Sequence, residues 1–336
     1  MNYSEVSRLG NRMTSRRKLL ALLGTAVLSP GAFGQTKSSG IARIGLLSYL
    51  VAPDVALTML RKGLHDLGYV EGKSFVIVER YANGDYKRMP SLIAELEAEK
   101  IDVLVSRGPS VDFTKTIRDR VPVVFAYSGD PVESGFGDSL GKPGRNMTGI
   151  TFMAMELSGK RIGVLKELVP KATRIALLSN PEHSGELSEY RVTEDAAKRV
   201  GATITRYIIR NPQELSSAFA MIRANVPDAM IVFPDSLTLV RRKEIADFSA
   251  QAKIPCMYGW SEFVDAGGLI SYGPSIIESF KTLAIHVDKV LKAGSASNIP
   301  IEQVSAIKLA VNFGAAKALG LSIPQSILVR ADKVIE

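Results

Sequence analysis

The chain of 336 residues is about twice the size of an ordinary domain, so two domains are expected. Hydrophobic residues at 46% and charged residues at 23% are enough to build a substantial core. Half of the net charge of +8 sits in residues 1–34, where Arg8, Arg12, Arg16, Arg17 and Lys18 stand against Glu5 alone; the surplus left over is too mild for a nucleic-acid footprint, and no nucleic-acid partner is expected.

The first element is an address. A basic region ends in Arg16-Arg17, an apolar run follows from Leu19 to Leu28, and Pro30 and Gly31 close it. The run is too short to span a bilayer as a helix. The pattern is that of a cleaved secretory signal over 1–34, with Ala32-Phe33-Gly34 as a small-x-small cleavage site, and it sends the mature protein to the periplasm. Ser15 to Leu20 also resembles the twin-arginine signal; both export routes stay open. Cys256 is the sole cysteine, so the exported fold has no internal disulfide to staple it.

From residue 41 the pattern alternates. "IARIGLLS" reads as a buried strand, Leu57, Leu60, Leu64 and Leu67 recur at helical spacing up to Gly68, and "SFVIVER" is the next strand. Leu92, Ile93 and Leu96 line a helix, "DVLVS" (102–106) is a third strand, and a helix leads to "VPVVFAY" (121–127). The order then restarts. "RIALLS" (174–179) echoes "RIGLLS" (43–48), followed by helix 185–200, strand "TITRYII", helix 213–224, strand "DAMIVF" (228–233), helix 238–251 and strand "IPCMYG" (254–259). Asp102-Val-Leu-Val before Val121-Pro122 is matched by Asp228-Ala-Met-Ile before Ile254-Pro255. Strands alternating with helices imply parallel βαβ units covered on both faces. Three echoes in matching order imply two doubly wound α/β lobes. "LISYG" (269–273), helix 275–292 and "AIKLAVN" tie the lobes together, with crossings expected near 149–152, 271–275 and 300–306.

In such lobes ligands sit beyond the carboxyl ends of the strands, where helix N-termini present free N–H groups. In lobe one that singles out Ser48 and Tyr49, then Ser106, Arg107, Pro109 and Ser110 of "SRGPS", then Ser128 and Asp130 of "SGDP", with Thr151 at the first crossing. In lobe two it singles out Asn180 of "SNP", Asp235 of "PDS", and Tyr258 and Trp260 of "YGW". Turns use the same residue types for their own reasons, so the set carries more than any member. For a solute with a carboxylate, Ser110 and the N–H groups after it, the hydroxyls of Ser48, Ser106 and Ser128, and Arg107 are the donors. Asp235 is the partner for an ammonium group, and Tyr258 or Trp260 for an aromatic or apolar body. "PDSLT" is equally good N-cap sequence, which makes a helix cap the competing role for Asp235.

The stretches "LHDLGYVEGKSFVIVERYANGDYKRMPSLIAELEAEKIDVLVS", "FAYSGDPVESGFGDSLGKPGRNMTGIT", "DAGGLISYG" and "AAKALGLSIPQSILVRADKVIE" resemble the ABC-transporter substrate-binding family that includes tryptophan/tyrosine-binding proteins. The resemblance implies the type I periplasmic binding protein fold: two Rossmann-like lobes with parallel sheets, joined by a three-crossing hinge. On that pattern lobe one is 41–150 plus 273–302 and lobe two is 151–272 plus 303–336. It also implies a monomer that closes over a small solute, an amino acid or an aromatic or carboxylate compound, and delivers it to an ABC permease and ATPase at the inner membrane. "SRGPS" departs from the family, which more often has a small residue followed by Thr-Pro-Ala.

Catalytic and cofactor motifs do not emerge. "GKS" at 72–74 lacks the upstream glycine of a phosphate loop and precedes a strand instead of following one. His65, His183 and His286 have no second ligand at helical spacing, so no metal and no cofactor are expected. Cys256 reads as core. The competing classes are a ligand-sensing partner of a membrane receptor and an enzyme on the same fold, which would recruit Asp130 or Asp235.

Overall fold

The computed structural model describes residues 40–50, 55–152, 154–183 and 185–336. The segment read from the sequence as an export signal, 1–34, lies outside the described residues.

The first part of the chain lays down strands β1 (Ala42–Ser48), β2 (Phe75–Tyr81), β3 (Val103–Arg107), β4 (Val123–Tyr127) and β5 (Met147–Thr151), with helices α1 (Val55–Asp66) and α2 (Met89–Ala98) between them. β3, β4 and β5 are buried along their whole length, as strands of a parallel sheet covered on both faces must be. Alternation sorts their side chains: Val124 and Ala126 of β4 join the α1 side, while Val123 and Phe125 join α2 on the other. The helix expected between β3 and β4 is a 3-10 segment, Gly108–Thr116. It is entered through Gly108 at φ +54°, and the Thr114 hydroxyl donates to the Val111 carbonyl, so the backbone tightens instead of continuing as an α-helix.

The middle of the chain builds the second lobe in the order α3 (Ala154–Leu168), β6 (Arg174–Ser179), α4 (Glu186–Arg199), β7 (Thr203–Ile208), α5 (Pro212–Ala224), β8 (Ala229–Val232), α6 (Ser236–Val240), α7 (Arg242–Gln251), β9 (Cys256–Tyr258), α8 (Glu262–Asp265) and β10 (Ile270–Pro274). The helix expected over 238–251 is thus two helices. Asp235 caps the first, in a capping box with Thr238, and this starts the turn upstream of the apolar repeat. Arg241 then leaves helical geometry before α7.

The last part returns to lobe one with α9 (Ile276–Ala293) and β11 (Glu302–Gln303), then crosses again to β12 (Ile307–Asn312), α10 (Phe313–Ala318), α11 (Gln325–Arg330) and β13 (Lys333–Ile335) in lobe two. α9 is capped by Ser275 and ended by Gly294 in the left-handed region. Its Phe280, Leu283, Ala284 and Val287 are buried with α1 against sheet one. The two helices approach closely because α1 has Gly63 at the contact, where a Cβ would stand 2.6 Å from that of Ala284.

Sheet one has six strands in the order β2-β1-β3-β4-β5-β11, every neighbouring pair parallel. Sheet two has seven, β7-β6-β8-β9-β10-β12-β13, parallel except for β10 against β12. The chain passes between the sheets after β5, after β10 and after β11. The aspartate echo has a structural meaning. Asp228 accepts the Arg174 N–H at the start of β6 at 2.8 Å, and Asp102 accepts the Arg43 N–H at the start of β1 at 2.8 Å. Each lobe therefore clamps the entry of its first strand with an aspartate leading into its third.

Candidate functional site

The carboxyl ends of the two sheets face each other across a small, partly open cavity. Sheet one contributes Arg107 at the end of β3, Gly108, Ala126 of β4 and Ser128. The first crossing contributes Phe152, and the N-terminal turns of α9 contribute Ile276 and Phe280. Lobe two contributes His183 from the loop after β6, Asp235 and Ser236 at the start of α6, and Trp260 beyond β9. Its volume of about 30 Å³ holds about two waters. The lobes are in contact around it. A Cβ on Gly108 would stand 3.3 Å from the Ser236 hydroxyl, and one on Gly185, at the entry to α4, 2.8 Å from the Gly129 Cα. One apolar cluster runs through both lobes and includes Phe152, Trp260, Ile276 and Phe280.

Arg107, Ser128, Asp235 and Trp260, singled out from the sequence, line this cavity. The Arg107 guanidinium lies 5.8 Å from the centre of the Phe280 ring. Asp235 is buried, and its two oxygens have different tasks. Oδ1 accepts the Leu237 N–H at 2.8 Å and the Asn180 amide at 3.2 Å. Oδ2 has no hydrogen-bond partner and lies 3.7 Å from His183 Nδ1. The cap reading of Asp235 holds at Oδ1, and Oδ2 is left unspent. Asn180 is a support for Asp235, its own Oδ1 accepting the Glu182 N–H at 3.0 Å.

The remaining expected residues are placed elsewhere. Tyr258 is wholly buried with its ring stacked on Phe263, centroids 4.6 Å apart, and its hydroxyl 2.9 Å from that of Ser249. As the last residue of β9 it faces the core, and Gly259 turns the chain so that Trp260 reaches the cavity instead. Asp130 and Thr151 line a neighbouring recess with Met155 and Gln303. There Asp130 accepts the Val132 N–H at 2.7 Å, and the Thr151 hydroxyl donates to the Gly129 carbonyl at 3.2 Å. Ser48 is buried and accepts the Leu50 N–H. Tyr49 donates to the Gly84 carbonyl at 2.8 Å and stacks on Tyr86. Ser106, Pro109 and Ser110 are buried around the 3-10 segment and do not line the cavity. The N–H row of a regular helix expected after Pro109 is therefore not built.

The residue that spacing could not find is His183. Its ring lies between two buried carboxylates, Nε2 at 3.5 Å from Glu189 and Nδ1 at 3.7 Å from Asp235. Burial opposes its protonation, but the nearby carboxylates, Glu189 first and then Asp235 and Glu186, outweigh that and raise its pKa above the ordinary 6.5. Behind Glu189 stands Arg161 of α3, also buried, with Nε donating to the Tyr272 carbonyl at 2.8 Å. Burial lowers the Arg161 pKa and the Glu189 charge offsets part of that, leaving it at about 10, so it stays cationic at neutral pH. Gly273 makes room beside it. A Cβ there would lie 1.8 Å from the Gly259 carbonyl oxygen and 3.3 Å from an Arg161 terminal nitrogen. Among the described residues no group of three His, Cys, Asp or Glu is placed to hold a metal ion.

Two parallel-sheet lobes crossed three times by the chain, with a small cavity where their strand ends meet, define a two-lobed binding protein of the type I periplasmic class. The model for the family described as "ABC transporter substrate binding protein" matches residues 52–335, and the chain belongs to that family. It is 24% identical over 292 residues, covering 85% of this chain and 83% of the relative, to a tyrosine-binding protein of Clostridioides difficile strain R20291. Among solved structures it is similar to an ABC domain from Streptococcus pneumoniae in complex with L-Trp, with a TM-score of 0.79 and 22% identity over 88% of this chain and all of that one. It is also similar to the ligand-free, open form of a substrate-binding protein with adhesive properties from Clostridium difficile, with a TM-score of 0.62 and 21% identity over 88% of this chain and 99% of that one. Among the described residues no helix is long and apolar enough to cross a membrane.

Proposed function

We propose that this protein is the extracytoplasmic solute-binding component of an ABC importer. It captures a small solute, an amino acid or an aromatic carboxylate, between its two lobes and hands it to a permease and ATPase at the inner membrane. The signal read over residues 1–34 supports a periplasmic location, and we infer that the protein acts there as a monomer. The observation that carries the reading is the cavity at the facing strand ends. Its walls are mostly apolar and aromatic, with Arg107 on lobe one set opposite Asp235 and His183 on lobe two. Phe152, Trp260 and Phe280 suit an apolar or aromatic body. Arg107 and the Ser128 hydroxyl suit a carboxylate, and the unspent oxygen of Asp235 suits an ammonium group.

The cavity as it stands is smaller than any such solute, and the lobes already touch. The greater likeness to the L-Trp complex than to the open, ligand-free relative supports reading this form as closed. A solute therefore enters an open form and stabilises closure by its contacts with both lobes. Asp130 and Asp235, the acids an enzyme on this fold would recruit, each spend a carboxylate oxygen on backbone N–H groups, which favours capture over turnover. The test is to release the solute from purified native protein by denaturation, identify it by mass spectrometry, and return it to stripped protein in a calorimeter. Recovery of an amino acid or aromatic carboxylate that rebinds one to one is the expected result. Conversion of the solute during incubation would reject the binding role.

A further inference from the structure

The polar wall of the cavity on the lobe-two side is a row of buried charges that alternate in sign. Arg161 of α3 lies behind Glu189 of α4, His183 lies beyond Glu189, and Asp235 ends the row at the cavity. Neither Glu189 oxygen has a hydrogen-bond partner, nor does Asp235 Oδ2, and each lies beside the same imidazole. Buried carboxylates need a cation. In the form described here, the group between these two is the ring of His183, a cation when protonated.

We propose that His183 is a specificity-determining residue whose proton stands in for the ammonium group of the solute and is given up when that group reaches Asp235. This rests on the reading of the cavity as the solute site. An ammonium group arriving at Asp235 Oδ2 puts a second positive charge beside His183. The wall holds its charge constant if the imidazole releases its proton to solvent as the ammonium group pairs with the carboxylate. A solute with a carboxylate but no ammonium group displaces nothing and leaves His183 protonated. The wall thus reads whether the solute carries a cation, and it does so with a proton count.

The groups that set the titration are few. Glu189 and Glu186 of α4 and Asp235 hold the proton on. Arg206 of β7 is committed to Glu186, and Arg161 acts through Glu189. Across the cavity Arg107 is the charged side chain of lobe one. The raised pKa of His183 agrees with a ring held protonated by the two flanking carboxylates.

The experiment compares L-tryptophan with its counterpart lacking the ammonium group, 3-(indol-3-yl)propanoate. Binding to the full mature protein is measured by calorimetry in buffers of different ionisation enthalpy between about pH 5 and about pH 8. The proposal expects L-tryptophan to release close to one proton per molecule at the acid end. Its affinity then rises by up to about tenfold per pH unit until His183 is neutral in the free protein. The propanoate should release none. His183→Gln, which keeps a donor but does not titrate, should bind L-tryptophan with no proton release. Glu189→Gln should keep the release and move it to lower pH, which a merely structural role would not do. Release of protons unaltered in His183→Gln, or L-tryptophan binding without release in the unmodified protein, overturns the proposal and leaves the solute-binding reading standing. Binding of neither probe overturns both.

Discussion

Replacing Asp235 separates its two oxygens. Asp235→Ala removes the cap on α6, worth about 1 kcal/mol, and the buried bond from Asn180, worth about 1 kcal/mol more. The ligand-free protein should therefore lose about 2 kcal/mol and melt roughly 3 °C lower. Asp235→Asn keeps an acceptor at Oδ1 for both bonds, since asparagine caps as well as aspartate, so its melting temperature should fall far less. It removes the charge of Oδ2, the oxygen without a partner. A hydrogen bond to a charged group contributes about 1.5–3 kcal/mol, so affinity for a solute with an ammonium group should fall about tenfold to hundredfold. Differential scanning calorimetry of the ligand-free variants and titration calorimetry with the identified solute measure the two effects separately. An Asn variant that binds such a solute as well as the parent would show that Asp235 is only a cap.

Gly185→Ala places a methyl 2.8 Å from the Gly129 Cα where the lobes meet, so solute affinity should weaken at least about fivefold, with scattering showing a lobe pair that fails to close when solute is added. The Asp228 carboxyl is held down to about 2 by the backbone N–H groups of Thr173 and then Arg174. Its contribution to stability is therefore complete above its ordinary value of 3.8 and lost as pH falls towards about 2; melting curves of Asp228→Asn should lack that part of the acid transition. Burial pushes the Cys256 thiol well up, so the native protein should resist thiol reagents at neutral pH and react once denaturant is added. Labelling of native protein at the rate of unfolded chain would contradict that placement.

The parallel strands were legible because strands covered on both faces are short apolar runs. "RIGLLS", "DVLVS" and "RIALLS" are such runs, and their side chains are buried almost throughout. The repeated aspartates were legible as an echo but not as a clamp, since a hydrogen bond from the Arg174 N–H to Asp228 is a long-range fact. Helix α3 escaped pattern reading because its inward face includes Ser158 and Arg161, whose burial depends on the Ala154 and Tyr272 carbonyls. β11, with two residues paired to β5, is too short to leave a period. At the site, the rule that ligands sit at strand ends found Arg107, Ser128, Asp235 and Trp260. It overreached at Tyr258, where the alternation of β9 still governs, and at Ser106 and Ser110, which pack inside the 3-10 segment. His183 was hidden because its partners, Glu189 and Asp235, come from different elements. Ile276 and Phe280 belong to the apolar stripe of α9, and only the return of α9 to lobe one sets them over the cavity.

Trp260 is the chain's one tryptophan, and it lines the cavity, so its emission reports directly on what enters. The central claim is that solute binds between the lobes at this point. Titration of stripped mature protein with the solute found by mass spectrometry should change the intensity or wavelength of Trp260 emission. That change should saturate at one solute per chain, with the affinity calorimetry gives. Calorimetric binding that leaves the emission of Trp260 untouched would place the solute elsewhere and contradict the account.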